Sequence, residues 1–161
     1  PAMLQRAREV LVGYGDRATF EVADARQLAV ASATVDLALA GWVFGHLRYW
    51  LPDDWQANVG AALDELARVT RLGGTLVVIE TLGTGTDRAG PPSEPLAEYY
   101  AWLERERGFA RQTIRTDYLF ASVEEAARVT GFFFGPELAT RVREQAWTRI
   151  PEFTGVWSRR R

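Results

Sequence analysis

The sequence has no cysteine and a single histidine, His46. The first absence excludes a disulfide framework and any thiolate zinc site. The second leaves carboxylates as the main metal ligands, and no tight Asp/Glu cluster with ligand spacing occurs, so no metal is expected. Long apolar runs are also missing. The longest, such as Thr75 to Thr81, are strand-sized, against the roughly 20 residues of a membrane helix, so no membrane partner is expected. The amino-terminal stretch is amphipathic and carries arginines, which is not the pattern of a secretory signal; the expected location is cytoplasmic. Net charge is −2, and the only basic block, Arg159 to Arg161, reads as a solvated tail. A nucleic-acid partner, which calls for a basic face or stripe, is not expected. No serine stands on a strand-to-helix elbow, which argues against a nucleophilic triad.

What remains is an ordinary globular composition. Its 161 residues fit one domain, and 47% hydrophobic with 25% charged residues is too apolar for disorder. Pro1 to Val12 reads as a helix, with Met3, Leu4, Ala7, Val10 and Leu11 at helical spacing, Pro1 in the first turn, and Gly13 and Gly15 ending it. Ala18 to Ala23 reads as a short strand and Asp24 to Thr34 as a loop. Val35 to Ala40 is nearly continuously apolar, the pattern of a parallel strand covered on both faces. An aromatic-rich connection follows from Gly41 to Asp54. A helix from Trp55 to Thr70 comes next, capped by Asp53 or Asp54 and stopped by Gly73 and Gly74.

Thr75 to Thr81 is the strongest strand, and Gly83 to Pro95 a turn-rich loop suited to a lid. Leu96 to Arg107 reads as a helix and Thr113 to Phe120 as a strand. Ser122 and Glu125 form a capping box that opens a helix towards Phe132. Pro136 starts a short helix ending near Gln145, and Phe153 to Ser158 is the last strand. This order points to an α/β fold with a mostly parallel sheet, closed in its last third by an antiparallel pair.

Three runs carry a family resemblance. Phe20-Glu21-Val22-Ala23-Asp24-Ala25-Arg26-Gln27-Leu28 resembles the third strand of a class I S-adenosylmethionine-dependent methyltransferase. Val35-Asp36-Leu37-Ala38-Leu39-Ala40-Gly41-Trp42 resembles the fourth strand and the loop that faces the methyl donor. The stretch from Ala61 to Leu76, with Arg68-Val69-Thr70-Arg71-Leu72-Gly73-Gly74, is similar to the family's following helix, turn and fifth strand. Glu80 to Arg161 looks like an uncharacterised bacterial branch of the family. Two departures are minor: Ala29 follows Leu28 where the family often has proline, and Leu72 precedes the double glycine where it often has proline. The third is not: the family's opening strand, Gly-x-Gly-x-Gly turn, helix and acidic second strand have no counterpart, and Gly13-x-Gly15 ends a helix instead of joining a strand to one.

The resemblance implies a Rossmann-like methyltransferase sheet lacking its first two strands, residues 1–161 forming a partial domain and a carboxy-terminal fragment of the parent enzyme. Those two strands would lie between the Phe20 strand and the Val35 strand. Either the parent protein supplies them, or the Phe20 strand pairs directly with the Val35 strand through a crossover near the minimum length. The implied cofactor is S-adenosyl-L-methionine and the implied partner a small-molecule acceptor. Asp24 and Ala25 would bind the adenine, and Gly41 and Trp42 would contact the donor. The fragment alone is expected to be inactive and to bind cofactor weakly or not at all.

His46, in the loop after the fourth strand, suits a substrate-proton or positioning role, or plain loop packing. Tyr49, Trp50, Glu80 and Tyr118 are the candidate substrate residues. The aromatics Trp42, Phe44, Tyr49, Trp50 and Trp55 form a substrate wall, cation–π partners of the sulfonium, or core. Asp24 reads alternatively as a turn residue, Glu80 as a cap of the Gly83-Thr84 turn, and Arg115 with Asp117 as a structural ion pair. Two other functions fit less of the pattern. One is a non-catalytic methyltransferase-like partner subunit, an oligomer covering its exposed edge; the other is a dinucleotide-dependent oxidoreductase.

Overall fold

A computed structural model describes residues 2–161; the role read for Pro1 lies outside the described residues. Helix α1 spans Ala2–Val10 and runs into a 3-10 turn at Val12–Arg17. Strand β1 (Val35–Gly41) is followed by helices α2 (Phe44–Trp50) and α3 (Trp55–Val69) and the long strand β2 (Thr70–Thr84). Helix α4 (Glu94–Arg105), strands β3 (Ala110–Arg115) and β4 (Tyr118–Leu119), helices α5 (Val123–Phe134) and α6 (Pro136–Glu144), and strands β5 (Arg149–Ile150) and β6 (Glu152–Arg160) complete the chain.

The main sheet has the order β1-β2-β6-β3. Strands β1 and β2 are parallel, with Leu37 opposite Thr75 and Gly41 opposite Ile79. Strand β6 is antiparallel to both β2 and β3. Three strands therefore run one way and β6 alone runs the other: a mostly parallel, Rossmann-like α/β sheet with an antiparallel terminal strand, as the sequence pattern implies.

One face of this sheet carries the core. Helix α3 buries Trp55, Val59, Ala62, Leu63, Leu66 and Val69 against the sheet. Helix α4 starts on Ser93, whose hydroxyl accepts the Leu96 amide, and buries Leu96, Tyr99, Tyr100, Trp102 and Leu103. Trp55 packs edge-on against Tyr99 and Trp102, while Tyr100 packs on Trp157 of β6 with ring centroids 4.6 Å apart. Each large apolar side chain so buried contributes about 1.5–3 kcal/mol, so this one layer dominates stability. Helices α5 and α6 form a smaller cluster with Ile150.

The other sheet face is open. Along β1, Ala38 and Ala40 are 7% exposed beneath the helices, whereas Leu37 and Leu39 are 54% and 53% exposed. The continuous apolar run therefore does not mark a strand covered on both faces. Among the described residues no element covers that face of β1, and its outer edge pairs with no strand.

Five further expectations are corrected. Residues 18 to 23 form no strand, because no strand stands alongside to take their backbone bonds; the Phe20 carbonyl instead accepts from the Arg8 guanidinium at 3.2 Å. The connection after Gly41 is not a loop throughout but contains α2, too short to show a helical repeat. Asp54 occupies the N-cap of α3 without a side-chain capping bond. That helix ends at Val69, before the double glycine, and Gly73 (φ +77°) instead shapes a bulge at the start of β2. The expected strand from Thr113 to Phe120 breaks at Arg115. Asp117 accepts from the Arg115 guanidinium at 2.7 Å and from the Glu152 amide at 3.2 Å, which turns the chain. Tyr118 and Leu119 then pair with β5. The Ser122 half of the capping box stands, its Oγ accepting the Glu125 amide; the Glu125 carboxylate reaches one residue further back and accepts the Ala121 amide instead of that of Ser122.

Candidate functional site

Parallel strands bring their carboxyl ends to one edge, which is where open α/β sheets place ligands. Here β1 leads into Trp42 and β2 carries Glu80 and Thr81, while β6, running the opposite way, begins at that edge with Glu152. These residues, with His46, Tyr49, Leu96, Tyr118, Phe133 and Phe134, line a cavity of about 610 Å³. That lies within the usual range for a small-molecule site, about 300–1,000 Å³. A second depression, around Arg115, Asp117 and Arg149, is shallow, and its charges pair with one another.

Trp42 occupies a backbone conformation that bulky residues rarely adopt, with φ +52°. Its amide donates to the Ile79 carbonyl at 2.8 Å, so the sheet ladder holds it there. Such strain costs on the order of 1–3 kcal/mol and concentrates at functional sites. The residue is 50% exposed and lines the cavity.

Glu80 is 4% exposed. One oxygen, Oε1, accepts the Gly45 amide at 2.9 Å. Helix α2 has no side-chain cap of its own, so a carboxylate from the neighbouring strand satisfies its first turn. Burial pushes the Glu80 carboxyl up to about 7, against the opposing pull of the Gly45 and Phe44 amides and of the nearby Tyr99 hydroxyl, which forms no fully aligned bond. Gly45 allows this approach, since a side chain there would press on Glu80 Oε2 and Leu96. Glu80 is thus a cap, of α2 and not of the Gly83-Thr84 turn.

Glu152 is 2% exposed. The Thr81 hydroxyl donates to its Oε1 at 2.9 Å, and no group of the protein completes a hydrogen bond to Oε2. Burial raises its pKa above the ordinary carboxylate value; the Thr84 and Thr81 hydroxyls oppose this, Thr84 from off the bonding geometry. The β2 register shifts between Thr81 and Thr84, opposite the start of β6, and bulges of this kind re-aim side chains beside active sites.

Of the expected substrate residues, Tyr49, Glu80 and Tyr118 meet in the cavity, and His46 joins them from the first turn of α2. Tyr49 shares a hydroxyl–hydroxyl bond with Ser93. Trp50 does not line the cavity; 70% exposed, it stacks behind His46 with centroids 5.3 Å apart. Gly41 ends β1 next to Trp42, opposite Ile79. Ala25 packs on the main core. Asp24 lies outside the cavity lining, in a turn closed by the Gln27 amide on its carbonyl at 2.9 Å. Arg26 holds both its carboxylate oxygens, Nη2 to Oδ2 at 2.6 Å and Nε to Oδ1 at 2.9 Å, and lowers its pKa to about 2.

The sequence reading missed Glu152, Thr81, Leu96, Phe133 and Phe134. For Glu152 a signal was present: an acid opening an antiparallel last strand lies at the same edge as the acids that end parallel ones.

Residues 1–78 match a family model described as a methyltransferase domain. No curated protein sequence matches significantly. Among solved structures, the chain is similar to a protein assigned as a type II methyltransferase from Anaeromyxobacter dehalogenans, at TM-score 0.55 and 15% identity, over 90% of this chain and 72% of that one. It is also similar to the YcgJ protein from Bacillus subtilis, at TM-score 0.53 and 13% identity, over 98% and 76%. The cyclase SpnF matches at TM-score 0.50 and 21% identity, over 97% and 61%. The shared property is the Rossmann-like methyltransferase fold, and the cyclase among its owners shows that the fold alone does not fix the chemistry.

The residues present fit one end of S-adenosylmethionine. Gly41 and the half-exposed face of Trp42 offer backbone and an aromatic plane beside the cavity, suited to a sulfonium. The adenine end is not matched as it stands, because Arg26 occupies both oxygens of Asp24.

Proposed function

We propose that this chain, with a methyltransferase-domain match over residues 1–78 and the fold of class I methyltransferases along its length, forms the acceptor-side, carboxy-terminal part of an enzyme that moves a methyl group from S-adenosylmethionine to a small molecule. The observation that carries the reading is the cavity at the carboxyl ends of β1 and β2, walled by the strained Trp42 and floored by Glu80. Methyl transfer is an in-line displacement in which alignment of nucleophile and methyl supplies much of the rate. The chain's own contribution is to hold the acceptor between Trp42, Tyr49 and Tyr118 and to keep water out. His46 stands at the cavity wall, placed to position the acceptor or to exchange a proton with it.

The bare sheet face at Leu37 and Leu39 and the unpaired edge of β1 support the fragment reading. An additional βα layer laid there would cover both and give the Phe20 segment a strand to pair with. Asp24 then takes its adenine role once Arg26 turns away from it.

Calorimetric titration of S-adenosylhomocysteine tests both parts. Residues 1–161 alone should show no submicromolar binding, and the parent enzyme should bind, with Asp24→Ala weakening its affinity tenfold or more. Submicromolar binding by the chain alone removes the fragment reading. Absence of binding by the parent enzyme removes the methyl-transfer reading.

A further inference from the structure

The cavity holds two buried carboxylates and no arginine. Glu80 and Glu152 are 4% and 2% exposed, yet neither has a cationic partner among the described residues. Buried charges in proteins are paired, and a buried acceptor left unbonded costs about 1–3 kcal/mol. Glu80 is largely satisfied by the first turn of α2, but no group completes a hydrogen bond to Glu152 Oε2, the Thr84 hydroxyl standing near the carboxylate off the bonding geometry. Apart from His46 and Thr81, the wall is mainly aromatic or aliphatic, with Trp42, Tyr118 and Phe134 among its residues. A carboxylate lacking a donor inside aromatic walls is complementary to one ligand class: a cation that carries N–H groups on an apolar body.

We infer that the acceptor bound in this cavity is a small amine with an apolar or aromatic body, its nitrogen bonded to Glu152 Oε2 and its body against Trp42, Tyr118 and Phe134. This deepens the methyl-transfer reading and rests on it. An alcohol has one donor and no charge to match the site. A carboxylate or phosphate would meet two acids and is repelled. The amine arrives protonated and pairs with Glu152. It becomes the nucleophile after giving that proton to the carboxylate, whose raised pKa suits the exchange. The neutral nitrogen's lone pair then forms the new N–C bond, and the C–S electron pair stays on sulfur as a neutral thioether. The positive charge passes from sulfur to the methylated nitrogen, and the proton lost earlier is the net proton released.

The test uses the 161-residue chain and three probes of one shape: 2-phenylethylamine, 2-phenylethanol and phenylacetate. Binding is followed by tryptophan fluorescence and calorimetry. The amine should bind at least tenfold more tightly than the alcohol, the carboxylate should not compete, and Glu152→Gln should cost the amine tenfold or more while leaving the alcohol unchanged. If that variant does not fold, the amine-to-alcohol ratio on the unaltered chain decides. Equal affinity for amine and alcohol overturns the inference, as does a preference for the carboxylate. In the parent enzyme the amine and S-adenosylhomocysteine should bind together; mutual exclusion would give the acids to the donor's own amino group and overturn the inference. Methyl transfer to alcohols without amine preference removes the inference and leaves the methyltransferase reading intact. Amine selectivity in a parent enzyme that never binds S-adenosylhomocysteine removes the methyltransferase reading and, with it, the acceptor role.

Discussion

The carboxylate of Glu80 accepts a hydrogen bond from the backbone amide of Gly45 at 2.9 Å, joining the carboxyl-terminal part of β2 to the first turn of a helix 35 residues earlier. The same side chain lines the cavity that His46 and Tyr49 enter from that helix. The ionisation of one buried acid therefore bears on both the position of α2 and the polarity of the site.

The pH dependence of stability follows with a definite sign. Burial raises the Glu80 pKa to about 7 in the folded chain, from an ordinary value of 4.5. The proton is held more tightly when folded, so this contribution is full below about pH 4.5 and is lost as pH rises through about 7. A shift of this size corresponds to roughly 3 kcal/mol. Glu152 acts in the same direction, whereas Asp24, Glu65 and Asp117, whose pKa values are lowered, contribute a constant amount above about pH 5. Urea unfolding at pH 5 and pH 8 should show a loss of stability on the alkaline side. Glu80→Gln, which keeps an acceptor for Gly45 without the titration, should remove most of it; an undiminished loss in the variant refutes this account of Glu80.

Trp42 offers a separation of stability from function. Replacement by glycine relieves the positive φ at a half-exposed position, so the variant should unfold at the same or a higher temperature, by an amount worth about 1 kcal/mol. It should also lose a wall of the cavity and bind phenylethylamine at least fivefold more weakly. Destabilisation by 2 kcal/mol or more in a thermal melt would mean that Trp42 is core and not a site residue.

Gly155 lies in β6 beneath the fully buried Trp157. A methyl group there overlaps the indole ring, which packs on Tyr100 and donates to Glu104 at 3.0 Å. Gly155→Ala should therefore cost on the order of 1–3 kcal/mol, the usual cost of overpacking, read as a lower urea midpoint with unchanged slope. A neutral outcome would show that Trp157 can shift without loss.

Much of the architecture could be read from local pattern. The apolar spacing of Trp55, Val59, Leu63 and Leu66, the run from Thr75 to Thr81, and the Ser122 capping box each state their element because helix and strand periods differ. Helix α2 was not readable, because seven residues are too few for a repeat and its first turn depends on Glu80. The Phe20 segment misled for the opposite reason: its alternation is that of a strand, but alternation gives no partner. Within the site, Trp42, His46, Tyr49, Glu80 and Tyr118 were identifiable as side chains near the carboxyl ends of strands, or beyond them. Trp50 was not separable from them, since it is adjacent to Tyr49 in sequence but points away from the cavity.

The α/β class, the order of most elements and the sheet edge at which chemistry-bearing residues collect were legible in the linear pattern, because they depend on short-range periodicity and on strand direction. The folded chain alone shows that the Leu37 and Leu39 face of β1 lies bare, that Arg26 occupies Asp24, and that Glu80 and Glu152, 72 residues apart, line one cavity. Burial, charge pairing and the meeting of distant strands are properties of neighbours in space, and a linear pattern carries no record of which neighbours those are.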